Sequence, residues 1–247
     1  MRSLSFPSSS RILFITGTDT GVGKTLLTAL LLAHLRSLGH IALALKPFCS
    51  GTRADAELLH SLQDGDLSLN EINPFYFSEP IAPLVAARKH RRRIPLGAVL
   101  NHVHSVIARH SPSIKNQKSK IKNLQLLIEG SGGLLVPLGE GYTVLDLITA
   151  LNCEVVVVAR NKLGTINHTL LTVRALQRAG AKNLSVALMN CKMKDVAAQS
   201  NYRILAELLA PVRVHSIPFL RSSHRTATTV KKSAASLGRL LRRVGPT

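Results

Sequence analysis

The 247-residue chain holds no tryptophan, and aromatic residues make up only 4% of it. Single-stranded nucleic acid is held by stacking bases on aromatic rings, so a chain this poor in them offers little platform for that role. Cysteine is equally scarce: Cys49, Cys153 and Cys191 stand apart, odd in number and without a Cys-x-x-Cys spacing. That argues against a disulfide framework and a zinc site, and it fits a reducing cytoplasm. No apolar run approaches the roughly 18 residues of a membrane span; "EVVVVA" (Glu154 to Ala159) is among the longest. Acidic residues are few, 13 against 32 Lys plus Arg, which leaves a net charge of +19.

A field of that sign attracts phosphates, nucleic acid or acidic membrane. The excess is nevertheless spread over "RKHRRR" (Arg88 to Arg93), "KNQKSKIK" (Lys115 to Lys122) and a last stretch with Lys231, Lys232, Arg239, Arg242 and Arg243. Scattered runs of this kind read as solvated faces, so no dedicated nucleic-acid or membrane partner is expected. The opening "MRSLSFPSSSR" is serine-rich and acid-free, faintly like a transit peptide, but it lacks an apolar secretory core. We read residues 1–10 as a flexible tail and 11–247 as one domain.

What the chain has in quantity is aliphatic residues in short runs. "RILFIT", "IALALK", "LQLLIEG", "EVVVVA", "LSVALMNC" and "VHSIPF" alternate with longer helical patterns. Continuous Val/Ile/Leu runs mark strands buried on both faces, and alternation with helices implies a mostly parallel sheet. The expected class is α/β, a three-layer sheet flanked by helices of the P-loop nucleotide-hydrolase kind. Leu27, Leu30, Leu31 and Leu35 give the first helix an amphipathic spacing, and Gly39 closes it. Further helices are predicted over about 166–179, closed by Gly180, and about 195–210, closed by Pro211. "NEINPFYFSEPIAP" (Asn70 to Pro83) reads as an ordered loop.

The stretch "FITGTDTGVGKT" (Phe14 to Thr25) carries the clearest chemistry. Amides at a helix start converge on an anion, glycines let the backbone approach it, a lysine neutralises the outer phosphates and a hydroxyl ligates Mg²⁺. Gly21, Gly23, Lys24 and Thr25 supply these parts. The strict spacing puts a glycine where Thr18 stands, and Gly17 falls one residue early, so this is a variant loop.

Lys46 ends "IALALK" at the carboxyl edge of the predicted sheet, either placed for chemistry or simply facing solvent. Glu129 ends "LQLLIE" before Gly130, Gly132 and Gly133, where a carboxylate can hold Mg²⁺ opposite the phosphate loop. Asp55 is either a second carboxylate of that site or a charge favoured at a helix start.

"GTDTGVGKT", "KPFCSG", the Asp55 segment, "NPFYFSEPIAP", "IEGSGG" and "NKLGTINHTLLT" occur in the order and approximate spacing of the dethiobiotin synthases, which the chain resembles over most of its length. The resemblance implies ATP-dependent ring closure: 7,8-diaminononanoate and CO₂ (or bicarbonate) become dethiobiotin, with ADP and phosphate, in biotin formation. It implies that Asp19, Gly21, Val22, Gly23, Lys24 and Thr25 cradle ATP, and that Asn190 and Pro218 meet its base. Lys46, Lys24 and Thr20 would serve the reacting groups, and Thr25, Asp55 and Glu129 would hold Mg²⁺. Ser50, Gly132 and Gly133 would position diamine or carbamate. Gly164, Thr165, Ile166 and Asn167, aided by Tyr202, would reach the substrate carboxylate of a neighbouring subunit across a homodimer interface. Read plainly, Asn167 caps a helix and Tyr202 packs in a core; for His168 the plain structural reading is preferred.

The chain departs from the family pattern at Gly21 and Ser131, where many relatives carry Glu and Ala, and at Arg225, near where relatives carry an acidic base or ribose contact. The rival reading is a ParA/MinD-like ATPase that binds DNA or membrane through its basic surface. Such ATPases carry a lysine early in the phosphate loop, where Thr18, Asp19 and Thr20 stand here. "SLGRLLRRVG" could serve such a protein as a membrane-surface helix, and it could equally be an ordinary surface helix. A glutamine-dependent amidotransferase of cobalamin synthesis would need a further glutaminase domain, for which the chain is short.

Overall fold

A computed structural model describes residues 10–111, 123–193, 195–220 and 226–246. The expected tail up to residue 9, the lysine-rich Lys115 to Lys122 and Arg225 lie outside the described residues.

Along the chain, β1 (Ser10–Gly17) leads to α1 (Lys24–Ser37), β2 (Ala42–Leu45) and β3 (Phe48–Ser50). Next come α2 (Ala54–His60), α3 (Leu69–Ile72), β4 (Phe75–Phe77), α4 (Pro83–Lys89), α5 (Leu96–His110) and β5 (Leu124–Glu129). A small hairpin, β6 (Pro137–Gly139) and β7 (Tyr142–Thr143), precedes α6 (Val144–Leu151), β8 (Glu154–Arg160), α7 (Thr165–Arg178) and β9 (Leu184–Met189). A 3-10 turn (Val196–Gln199), α8 (Asn201–Leu208), β10 (Arg213–Ile217), α9 (Ala227–Ser236) and α10 (Gly238–Val244) follow.

Six strands form one parallel sheet in the order β10, β9, β8, β1, β5, β2. The aliphatic runs produce it directly. Every residue of β5 is buried, as are Val155 to Ala159 in β8, because helices cover the sheet and leave no face for polar side chains. β1 lies between β5 and β8, so the chain builds outward on both sides of it. The turn after β1 therefore opens at the carboxyl ends of the strands, beside the point where strand order reverses, which is where α/β sheets bind ligands.

Three expectations need correction. α1 is buried nearly all round rather than on one stripe, with Leu27 to Leu35 shielded, because α9 and α10 pack over it. Leu241 and Val244 of α10 are buried there, so the apolar face of "SLGRLLRRVG" serves the core and is not free for a membrane. The helix expected over 195–210 is split. Asp195 caps the short 3-10 turn, and the Ala198 carbonyl accepts from Asn161 Nδ2 instead of continuing a helix ladder. Finally, the loop expected over 70–83 contains β4, which pairs in parallel with β3 through Phe48 and Phe75.

The basic run Arg88 to Arg93 ties local elements together. Arg88 makes a two-pronged contact with Glu140, Lys89 and His90 meet Glu79, and Arg92 lies over the Phe77 ring. No helix among the described residues is long and apolar enough to cross a membrane.

Candidate active site

The phosphate loop spans the turn between β1 and α1. Gly21 and Gly23 have φ of 72° and 107°, the left-handed region where a side chain is strained, and Gly23 stands at the N-cap of α1. Gly17, one position early for the strict motif, has a function of its own. A Cβ there would sit 2.8 Å from Val22 Cγ2, so only glycine lets the buried Val22 fold back and turn the loop. Sequence spacing alone passed over this residue. Asp19 Oδ1 accepts from the amide of Thr20, and both residues are exposed at the loop's outer bend.

Lys24 lies inside this bend with 6% of its surface exposed, and its ammonium donates to the carbonyls of Asp19 and Gly132 at 2.8 and 2.7 Å. Burial pushes Lys24 down to about 8 against the opposing pull of Glu129, and the nearby Lys46 charge adds to the fall. The glycine turn after β5 packs onto the phosphate loop: a Cβ on Gly133 would meet the carbonyl of Thr18 at 3.5 Å, and one on Gly132 would lie 3.6 Å from Thr20 Oγ1. Ser131 fixes that turn from the other side by donating to the Phe48 carbonyl.

Lys46 directly follows β2 and Glu129 ends β5, its neighbour in the sheet, and their side chains meet at 2.5 Å while almost wholly buried. Asp55, at the start of α2, lies 3.1 Å from the same ammonium, and Thr25 Oγ1 donates to Glu129 Oε1 at 2.7 Å. Burial alone would lower the Lys46 ammonium. The facing carboxylates of Glu129 and Asp55 outweigh it and hold the group above an ordinary lysine. Lys46 is thus held as a cation by these two carboxylates. The solvent-facing alternative for Lys46 is excluded by its burial.

Thr25, Asp55 and Glu129 fit a hard divalent cation. Glu129 Oε2 is buried with no protein partner, an orphan carboxylate oxygen beside the phosphate loop, and two carboxylates with a hydroxyl are the donor set Mg²⁺ takes alongside phosphate oxygens. Ser50 lies at the end of β3, and its hydroxyl is likewise buried without a protein partner.

The remaining expected residues lie toward the other side of the sheet. Asn190 follows β9 and Pro218 follows β10, so the two stand at adjacent strand ends, joined by a bond from the Asn190 amide to the Ile217 carbonyl. Met189 touches the phosphate loop: a Cβ on Gly23 would come within 3.2 Å of its Cε. Gly164 is the N-cap of α7 with φ 89°; Thr165 is buried, Ile166 is half-buried and Asn167 is exposed in the first turn. Asn167 does not cap this helix, and Tyr202, 45% exposed on α8, is not packed in a core. Tyr202 borders a groove of about 740 Å³ that runs along β10 between α8 and α10, away from the phosphate loop. Asn161, the first residue of "NKLGTINHTLLT", and Asn201, both buried, link these parts, and neither stood out in the sequence as a site residue.

Comparison with known proteins follows the same lines. The family model described as "AAA domain" matches residues 11–226. The ATP-dependent dethiobiotin synthetase BioD of Anaeromyxobacter sp. (strain Fw109-5) is 43% identical over 196 residues, covering 77% of this chain and 82% of that one. The chain belongs to the ATP-dependent dethiobiotin synthetase family. The synthetase BioD of Bacillus velezensis, 36% identical over 214 residues, covers 84% of this chain and 85% of its own. Among solved structures, the MinD cell division protein of Aquifex aeolicus aligns with a TM-score of 0.54 at 16% identity, over 95% of this chain and 96% of that one. A ParA family ATPase from Chlorobium tepidum TLS gives 0.53 at 13%, over 95% and 97%. At such identities the likeness is one of fold, and dethiobiotin synthetases share that fold with the ATPases of the rival reading.

Two outcomes are expected. Lys46→Met leaves the buried Glu129 carboxyl without its counter-charge, which costs about 3–5 kcal/mol and abolishes turnover. Adding Glu129→Gln restores most of the thermal stability but no turnover; calorimetry with an activity assay reads both, and equal instability of single and double variants refutes the pairing. Separately, the Lys24 ammonium must be charged to meet a triphosphate. Affinity for a non-hydrolysable ATP analogue therefore falls as pH rises through about 8, whereas Lys24→Arg, weaker overall, shows no such fall; a flat wild-type profile by fluorescence titration refutes it.

Proposed function

We propose that this protein carries out the dethiobiotin synthetase reaction: ATP, CO₂ and 7,8-diaminononanoate become dethiobiotin, ADP and phosphate. The observation that supports it most is the cluster of Lys24, Thr25, Lys46, Asp55 and Glu129 at one end of the sheet, in a chain 43% identical to a named synthetase. One amine of the diamine adds to CO₂ and loses a proton, giving a carbamate. A carbamate oxygen then attacks the γ-phosphoryl and releases ADP, and the second amine attacks the activated carbonyl and expels phosphate, closing the cyclic urea.

Carbamate and triphosphate repel each other, so the site must supply fixed positive charge where they meet. Lys24 and Lys46 supply it from opposite sides. Lys46, held as a cation by its carboxylate neighbours, acts electrostatically. When bound, Mg²⁺ would be held by Thr25, Asp55 and Glu129 and would neutralise triphosphate charge. Thr20, Ser50 and the amides of Gly132 and Gly133 orient the diamine or carbamate. The amides of Asp19 to Thr25 hold the phosphates, and Asn190 and Pro218 receive the base.

We further read the functional unit as a homodimer in the cytoplasm, with Gly164, Thr165, Ile166, Asn167 and Tyr202 serving the partner's site. Exposed apolar side chains around that segment support this reading: Leu163 is 78%, Met193 86% and Val196 85% exposed. The first amides of α7 would receive the substrate carboxylate.

ATP consumption is expected to require both the diamine and bicarbonate, with labelled carbon appearing in a product of dethiobiotin mass. Hydrolysis that depends instead on DNA or anionic vesicles would favour the ParA/MinD-like reading. Mixing Lys24→Ala with Asn167→Ala subunits should recover part of the activity if sites are shared. Verified mixed dimers that stay inactive would refute the sharing.

A further inference from the structure

The segment "NPFYFSEPIAP" lies directly against the stretch from Lys46 to Arg53. β4 pairs with β3, the Phe75 amide donates to the Pro47 carbonyl at 3.0 Å, and the Gly51 amide donates to the Phe77 carbonyl at 3.0 Å. Tyr76 Oη donates to the Gly51 carbonyl at 3.0 Å, and the Arg53 guanidinium lies over the Tyr76 ring. Asn73 opens this segment and is 1% exposed. Its Nδ2 donates to the Lys46 carbonyl at 2.9 Å and to the Pro47 carbonyl at 3.2 Å, while its Oδ1 accepts from Arg53 Nε at 3.1 Å.

Carbonyls only accept and a guanidinium only donates, so the Asn73 amide has a single satisfied orientation. Arg53 is itself held, since its Nη2 donates to the carbonyls of Leu69 and Asn73 at 3.2 and 3.0 Å. The backbone at Lys46 needs such outside support. β2 ends at Leu45, and Pro47 has no amide hydrogen with which to extend the ladder. Instead the Lys46 amide donates to the Ile72 carbonyl at 2.9 Å, and the Lys46 carbonyl receives Asn73. With both of its backbone polar groups pinned, the direction in which the Lys46 side chain leaves the chain is set.

Resting on the reading that Lys46 meets the reacting groups, we propose that Asn73 is a positioning residue for the reaction. It touches neither carboxylate nor ammonium. By holding the backbone of Lys46 in one orientation, it aims the ammonium at Glu129 and Asp55.

Asn73→Asp keeps the shape and sets its charge against Arg53, but it turns an oxygen toward two carbonyls, so the Lys46 backbone must move away. A displacement of about 1 Å at a reacting group costs on the order of a hundredfold in rate. In the complete reaction kcat should fall at least about tenfold while the KM for ATP stays within about threefold, because the bonds lost are to Lys46 and Pro47 and not to the phosphate loop. A non-hydrolysable ATP analogue should still bind at one site per chain, which separates a misaimed lysine from a fraction of unfolded protein. Tyr142→Phe removes a different buried hydrogen bond, to the Ile94 carbonyl, and should leave kcat within about twofold. Should Asn73→Asp fail to fold, Asn73→Ser, too short to span from Arg53 to the two carbonyls, must lower kcat at least about threefold with the same unchanged KM.

An unchanged kcat, a loss confined to the KM for ATP, analogue binding that falls in step with kcat, or an equal loss in Tyr142→Phe overturns the proposal. Lys46→Ala separates the two levels. If it stops turnover while Asn73→Asp does not slow it, only the positioning claim is wrong; if Lys46→Ala turns over like wild type, Lys46 does not meet the reacting groups and the underlying reading fails as well.

Discussion

The buried contact between Lys46 and Glu129 is the constraint on which the site depends. Two opposite charges at the ends of adjacent strands, each removed from water, are tolerable only because they face one another. Their union sets what surrounds it. Thr25 is drawn onto the engaged oxygen of Glu129, Asp55 onto the ammonium, and the second oxygen of Glu129 is left buried without a protein partner. A hydrophobic pair in the same place would pack as well and do nothing.

The strong net charge has a different meaning from the one its size suggests. Much of the scarce acid is spent close to base: Asp64 and Asp66 on Arg36, Glu71 on Arg109, Glu79 on Lys89 and His90, and Glu140 on Arg88. These pairs join a helix to a loop, to a hairpin or, for Glu71 and Arg109, to another helix, and within the run Arg88 to Arg93 they engage Arg88, Lys89 and His90. The apolar face of the last helix is similarly taken up by the first. That face is then not available to the membrane-binding alternative.

The six sheet strands were legible because burial on both faces demands uninterrupted aliphatic residues, a pattern little else produces. The phosphate loop was legible because its glycines and its lysine are chemical necessities. Lys46, Asp55 and Glu129 were visible only as polar residues at ends of elements, each with an ordinary explanation until their side chains met. The full burial of α1 could not be read from its own spacing, since the helices that cover it lie some 200 residues later. Asn161 and Asn201 were invisible for a related reason: an asparagine in a loop or at a helix start is unremarkable until the carbonyls it faces are known. The same side chain explains the broken helix before α8, because the carbonyl that Asn161 captures is one a continuing helix would have used.

The contact between Gly23 and Met189 joins two parts of the fold that sequence keeps far apart. Met189 is the last residue of β9, one step before Asn190, and Gly23 is the last before α1. The end of β9 is therefore held against the phosphate loop through a thioether resting on bare backbone. A side chain at position 23 would press the strand end and the loop apart, so their spacing, like the opening of a caliper, is machined by the absence of a single methyl group.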